Sequence, residues 1–95
     1  MRKRIVHIID DEQDIQEMLS FIISNMGYVS KTYSSWDNIC ENDIEENDIV
    51  LTDIFNVGKQ KSVKAKVYTM SGDSDKNPDL EKPFNISRIN YLINS

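Results

Sequence analysis

The chain is predicted to form a parallel α/β sheet, on three observations. Residues 4–9 are a compact apolar run and residues 48–53 are apolar in the middle, as strands of a buried parallel sheet require. Between them, Ile15, Met18, Leu19, Ile22 and Met26 recur at three- and four-residue spacing. Both runs close on carboxylates, Asp10 and Asp53, at the end where such sheets collect functional groups.

Asp10, Asp11 and Glu12 stop the first strand and supply capping chemistry for a helix over residues 12–26. Gly27 closes that helix in the left-handed conformation. Tyr28 to Tyr33 reads as a second strand, partly polar and so at an edge. A second helix is expected from Ser34 or Ser35 to about Asn42, with Trp36, Ile39 and Cys40 on its buried face. Asp48 to Asp53 is the third strand, residues 65–71 the fourth, and Asn85 to Asn94 a terminal helix. Strand, helix, strand, helix, strand is the pattern of a parallel sheet.

Connections then become short. Residues 54–64 leave room for a turn or two of helix, since a parallel crossover takes about a dozen residues. Residues 72–78, with Gly72, Asp73, Ser74, Asp75, Asn77 and Pro78, favour turns and have no helical period. A fifth strand is expected only as a fragment at Leu80-Glu81. If no helix covers the fourth strand, Val67, Tyr68 and Met70 should seek burial elsewhere, in a homodimer or under a partner.

Ninety-five residues suit one domain, spanning 1–95, with an economical core. The net charge of −5 repels a phosphate backbone, which argues against nucleic acid as a partner. The densest basic cluster, Arg2-Lys3-Arg4, is short and is expected to solvate the start of the first strand. One cysteine, Cys40, allows no disulfide framework, and no apolar run is long enough for a signal peptide or a bilayer span. A cytoplasmic location and no membrane partner are expected. His7 lies within a buried strand and reads as a satisfied core histidine; Met18 and Met26 read as core filler.

Four strand ends bring polar residues to one rim: Asp10 and Asp11, Asp53, Ser71, and Lys82 followed by Pro83. Carboxylates converging in a crevice repel one another unless a cation lies between them. Hard oxygen ligands of this kind suit Mg²⁺, which completes its coordination with water and substrate phosphate. Lys82 offers a point charge to a phosphoryl oxygen, Ser71 a hydroxyl, and an Asp carboxylate is a competent nucleophile. Phosphoryl transfer asks little beyond positioning and charge neutralisation.

On Asp10-Asp11, Leu51-Thr52-Asp53-Ile54, Ser71-Gly72 and Lys82-Pro83-Phe84, each at a strand end, the chain resembles the receiver domain of bacterial two-component response regulators. The resemblance runs over nearly the whole chain and is firmest over residues 4–55. It implies a doubly wound, flavodoxin-like sheet of order 2-1-3-4-5, here with the third and fourth helices shortened or missing. It also implies Asp53 as phosphoacceptor, assisted by Ser71 and Lys82. Mg²⁺ would be held by Asp10 or Asp11, Asp53 and the backbone carbonyl of Phe55. Asn56-Val57 replaces the Met-Pro pair usual in the family, with Gly58 matching the glycine that often follows. Asp79 stands where the family places an aromatic switch residue.

The expected function is a signal-transduction switch rather than a turnover enzyme. A histidine kinase or phosphotransfer protein would load it, and a downstream protein partner would read it. The alternative is a pseudo-receiver that binds partners without phosphorylation. A magnesium phosphohydrolase of the haloacid dehalogenase type ranks last, because Phe55 stands where that class needs a second Asp.

Overall fold

The computed structural model describes residues 3–94, so Arg2 of the basic cluster lies outside the described residues. Five strands are present: β1 (Ile5–Ile9), β2 (Val29–Tyr33), β3 (Ile49–Asp53), β4 (Lys66–Ser71) and β5 (Leu80–Glu81). Two α-helices join them, α1 (Gln13–Asn25) and α2 (Ile86–Asn94). All strand pairs are parallel and the sheet order is β2-β1-β3-β4-β5, the doubly wound order expected.

Every residue of β3 is buried, whereas β2, with only one neighbour, has most of its side chains exposed. Side chains alternate across the sheet and divide the core in two. Val6, Ile8, Ile49, Leu51, Met70 and Leu80 face α1 and α2, packing on Leu19, Ile23, Ile89, Leu92 and Ile93. On the opposite face Ile9 and Val50 pack on Trp36, Ile39, Ile44, Val57 and Ala65. No α-helix covers that second face among the described residues.

The helix expected over residues 34–42 is instead two single 3₁₀ turns, Trp36–Asn38 and Glu41–Asp43. Ile39 and Ile44, which follow those turns, are extended and buried, and both pack on the second core with Trp36. Asp37, Asn38, Asn42 and Asp43 favour turns over helix. Without a helix to pair it with Trp36, Cys40 is exposed rather than in the core. Met18 is also exposed, while Met26 packs on the first core as expected.

Residues 54–64 contain no helical turn, and residues 72–78 only one 3₁₀ turn, Ser74–Lys76. Val67, Tyr68 and Met70 do not share a bare face: Tyr68 and Met70 pack towards α2, and Val67 packs on the opposite cluster. Met70 is therefore buried within the chain, while Val67 and Tyr68 are partly buried. At Gly27, φ is +89° and the Tyr28 N–H donates to the Ile23 carbonyl, closing α1 as expected. Asn85 caps α2 by accepting from the Arg88 N–H at 3.1 Å.

Polar groups tie β1 to its neighbours away from the Asp10 end of the sheet. Arg4 donates to the Asn47 carbonyl at 2.8 Å and to the Ile93 carbonyl, linking the start of β1 to the end of α2. His7 is fully buried, with Nε2 2.9 Å from Asp48 Oδ2 and Nδ1 3.0 Å from the Tyr33 hydroxyl. A neutral imidazole satisfies both partners when Nε2–H donates to Asp48 and Nδ1 accepts from Tyr33. Asp48 accepts in addition from the Ile5 and Glu45 N–H groups. His7 is thus the satisfied core histidine that its place in β1 suggests.

Burial, reinforced by the nearby carboxylates of Asp43 and Asp48, raises the Tyr33 phenol above its ordinary 10.0. The folded pKa exceeds the unfolded one, so the stability linked to the protonated phenol is whole below pH 10.0 and is lost as pH rises through the folded value. Tyr33→Phe should cost about 1 kcal/mol at neutral pH. Denaturant melts of both proteins should show that gap shrinking above pH 10.0.

Candidate functional site

Strand register places the site. Ile9 lies opposite Thr52, so Asp10 follows at the level of Asp53. Asp53 lies opposite Met70, and Met70 opposite Leu80, which sets Ser71 and then Lys82 at the same rim. The ladder continues past the strands, with the Asp10 N–H donating to the Tyr33 carbonyl and the Lys82 N–H to the Ser71 carbonyl. The Lys82-Pro83 peptide is cis.

Lys82 joins three strand ends. Its Nζ donates to Asp10 Oδ2 at 2.9 Å and to Asp53 Oδ2 at 3.0 Å. Asp10 is fully buried and Asp53 nearly so. Burial pushes the Asp10 carboxyl up from its ordinary value, against the pull of the Glu12 N–H and of Lys82. Burial also works against the Lys82 charge, but its bonds to Asp10 and Asp53 outweigh that and raise its pKa above 10.5. Lys82 therefore stays charged at neutral pH and sets one positive charge between the Asp10 and Asp53 carboxylates.

The other oxygens are held by backbone. Asp53 Oδ1 accepts from the Ile54 N–H at 2.7 Å and from the Phe55 N–H at 3.2 Å. Asp10 Oδ1 accepts from the Glu12 N–H at 2.9 Å. Ser71 Oγ accepts from the Asp73 N–H at 3.0 Å, which orients the hydroxyl at the end of β4. A cleft of about 360 Å³ opens over these groups, lined by Asp11, Glu12, Asp53, Phe55, Asn56, Ser71, Gly72, Asp73 and Lys82. Phe55 is half exposed at its rim, with the Lys76 ammonium 5.9 Å from its ring centre.

All the residues singled out by sequence, Asp10, Asp11, Asp53, Phe55, Ser71 and Lys82, thus come to one rim. Glu12, Asn56 and Asp73 join them unforeseen. Glu12 had read as a cap, yet its side chain makes no capping bond. Asp73 follows Ser71 by two residues, a spacing that marks nothing by itself. Carboxylate oxygens of Asp10, Asp11 and Glu12 lie within 4.8 Å of one another. Hard, anionic oxygens clustered beside Asp53 fit a Mg²⁺ ion chemically.

The loop after β3 has a defined path. Asn56 is left-handed, with φ +62°, and Val57 is buried beneath Trp36. The Val57 carbonyl accepts from the Trp36 N–H at 2.7 Å and the Ser35 hydroxyl at 3.0 Å. Gly58 follows at φ +76°, where an added Cβ would come within 2.9 Å of Ser35 Oγ. Across the sheet, Asp79 Oδ2 accepts from the Thr69 N–H at 3.0 Å and from its hydroxyl at 3.3 Å. The Asp79 N–H returns a bond to Thr69 Oγ1 at 3.1 Å. The carboxylate so extends the edge of β4 where β5 has no residue to pair.

Removing the ammonium would leave two buried carboxylates facing each other. Lys82→Met should destabilise the fold by roughly 1–3 kcal/mol. Adding Asp53→Asn to it should restore part of that loss, as chemical denaturation of the single and double variants would show.

No family model matches the chain, and no curated protein matches it. Solved structures do. FixJ-N superposes at a TM-score of 0.73 with 22% identity, over 99% of this chain and 93% of that one. A response regulator receiver protein from Pseudomonas putida gives 0.74 with 14% identity, over 99% and 98%. A receiver domain protein from Clostridium thermocellum gives 0.69 with 20% identity, over 97% and 92%. The fold of this chain is the receiver-domain fold.

Proposed function

We propose that the chain is a phosphoacceptor switch in which Asp53 takes a phosphoryl group. The observation that carries this reading is the Lys82 ammonium, 2.9 Å from Asp10 and 3.0 Å from Asp53, in a cleft that also presents Ser71. The likeness of fold to response regulator receivers supports it.

In the proposed step an Asp53 carboxylate oxygen attacks phosphorus of a phosphohistidine or acyl phosphate. A P–O bond forms as the bond to the leaving group breaks, and the leaving group keeps the electron pair. Asp53 loses its negative charge in forming the acyl phosphate, and the Lys82 ammonium is then available to a phosphoryl oxygen. The Ser71 hydroxyl donates to another. Asp10 and Asp11, with Asp53 and the Phe55 carbonyl, would hold Mg²⁺, which supplies neutralisation of phosphoryl charge. The domain is a stoichiometric acceptor rather than a turnover enzyme.

A histidine kinase or phosphotransfer protein is the proposed donor, and a protein the proposed reader. A groove of about 400 Å³ between α1 and α2 supports protein contact: Phe21 and Ile86 line it while 69% and 61% exposed. The alternative, a pseudo-receiver acting without phosphorylation, draws its support from Asp79, locked to Thr69 where the family keeps a mobile aromatic.

Acetyl phosphate with Mg²⁺ should add the mass of one phosphoryl group to the protein. Asp53→Asn should abolish the gain, Lys82→Ala should slow it roughly a hundredfold, and Asp11→Asn should weaken Mg²⁺ binding and labelling together. Labelling of Asp53→Asn would put the acceptor at another residue and overturn the assignment, and no labelling of the unaltered protein would decide for the pseudo-receiver. Millimolar Mg²⁺ should also raise the melting temperature, since it binds the folded site alone.

A further inference from the structure

Behind Asp53 lies a buried polar chain that the proposed transfer step does not touch. Thr52 is 2% exposed and Trp36 1% exposed, both on the sheet face without helices. The Trp36 indole N–H donates to Thr52 Oγ1 at 2.9 Å, and that hydroxyl donates to the Asp53 carbonyl at 2.9 Å. An indole N–H can only donate. Its bond therefore makes the Thr52 oxygen an acceptor on that side and directs the single hydroxyl proton to the Asp53 carbonyl.

The Asp53–Ile54 peptide is thus gripped at both ends. Its C=O is bound by Thr52, and its N–H by the Asp53 carboxylate itself, at 2.7 Å. From the grip on Trp36 and Thr52 we infer that these two are positioning residues for Asp53: together they fix the peptide plane that aims the carboxylate at Lys82. This inference rests on the reading of Asp53 as phosphoacceptor, and it places part of the acceptor's control on the far face of the sheet. Trp36 is itself held by the loop after Asp53, its backbone N–H donating to the Val57 carbonyl at 2.7 Å. Indole, hydroxyl, acceptor peptide and loop form one closed circuit.

Thr52→Val removes the hydroxyl at constant shape, Trp36→Phe removes the indole N–H, and Thr52→Ser keeps the bonds. Labelling by acetyl phosphate with Mg²⁺ should slow about tenfold at saturation in Thr52→Val and Trp36→Phe, with the half-saturating concentration unchanged. Thr52→Ser should label at the rate of the unaltered protein, as should Val50→Ala, a packing change on the same face. Amide resonances of Ile54 and Phe55 should move in Thr52→Val and Trp36→Phe and stay in place in the other two. Equal labelling rates in Thr52→Val and the unaltered protein overturn the inference, as does a Thr52→Ser or Val50→Ala variant as slow as Thr52→Val. Should Thr52→Val not fold, Trp36→Phe decides by the same two readouts. If the unaltered protein takes no label, the phosphoacceptor reading fails; unmoved Ile54 and Phe55 amides then overturn the positioning role as well, and moved amides uphold the grip on the Asp53 peptide.

Discussion

One ammonium group holds the functional end of this sheet together. Lys82 reaches from the residue after β5 to the ends of β1 and β3, and without it Asp10 and Asp53 would face each other in a poorly hydrated crevice. The bridge is also the contact that the proposed switching would use. A cation held between two carboxylates can change partners when one of them loses its charge. Structure and proposed switching thus depend on the same contact.

Around that bridge the chain replaces covering helices with smaller devices. Asp79 takes over ladder bonding where β5 has no residue to give. Trp36, Val57 and Ile44 roof the second face from 3₁₀ turns and loop. Lys61 donates to the Ile39 carbonyl at 2.7 Å, fastening the loop after β3 to the turn that follows Trp36. Each device satisfies backbone or covers apolar surface, the two tasks a crossover helix would otherwise perform.

The strands, α1, α2 and the rim residues were legible because they rest on strong local signals. Apolar runs ending in Asp10 and Asp53 mark strands, and the spacing of Ile15, Leu19, Ile22 and Met26 marks a helix. Residues 34–42 misled because Trp36, Ile39 and Cys40 share a helical spacing, while the Asp and Asn residues between them prefer turns. Three apolar positions are too few for periodicity to outweigh that chemistry, and Cys40 was lost from the core with the helix. Met18 has the right spacing but sits at the margin of the stripe on α1. Glu12 and Asp73 gave no separate sign, since an acidic residue beside a turn is ordinary; only register shows that they share a cleft. The Thr52–Trp36 bond lay equally out of reach, because it joins residues that no sequence pattern pairs.

The contacts of Lys82 and Arg4 have a consequence for how this molecule comes into being. Lys82 meets Asp10 across 72 positions of sequence, and Arg4 meets the carbonyl of Ile93 across 89. The larger of the two hydrophobic clusters, on the α1 face, also waits for Ile89, Leu92 and Ile93. A growing chain on the ribosome therefore carries β1 and α1 without their partners from Lys82 and α2 until those later residues emerge, and the bridge at the rim and the completed core form only after them.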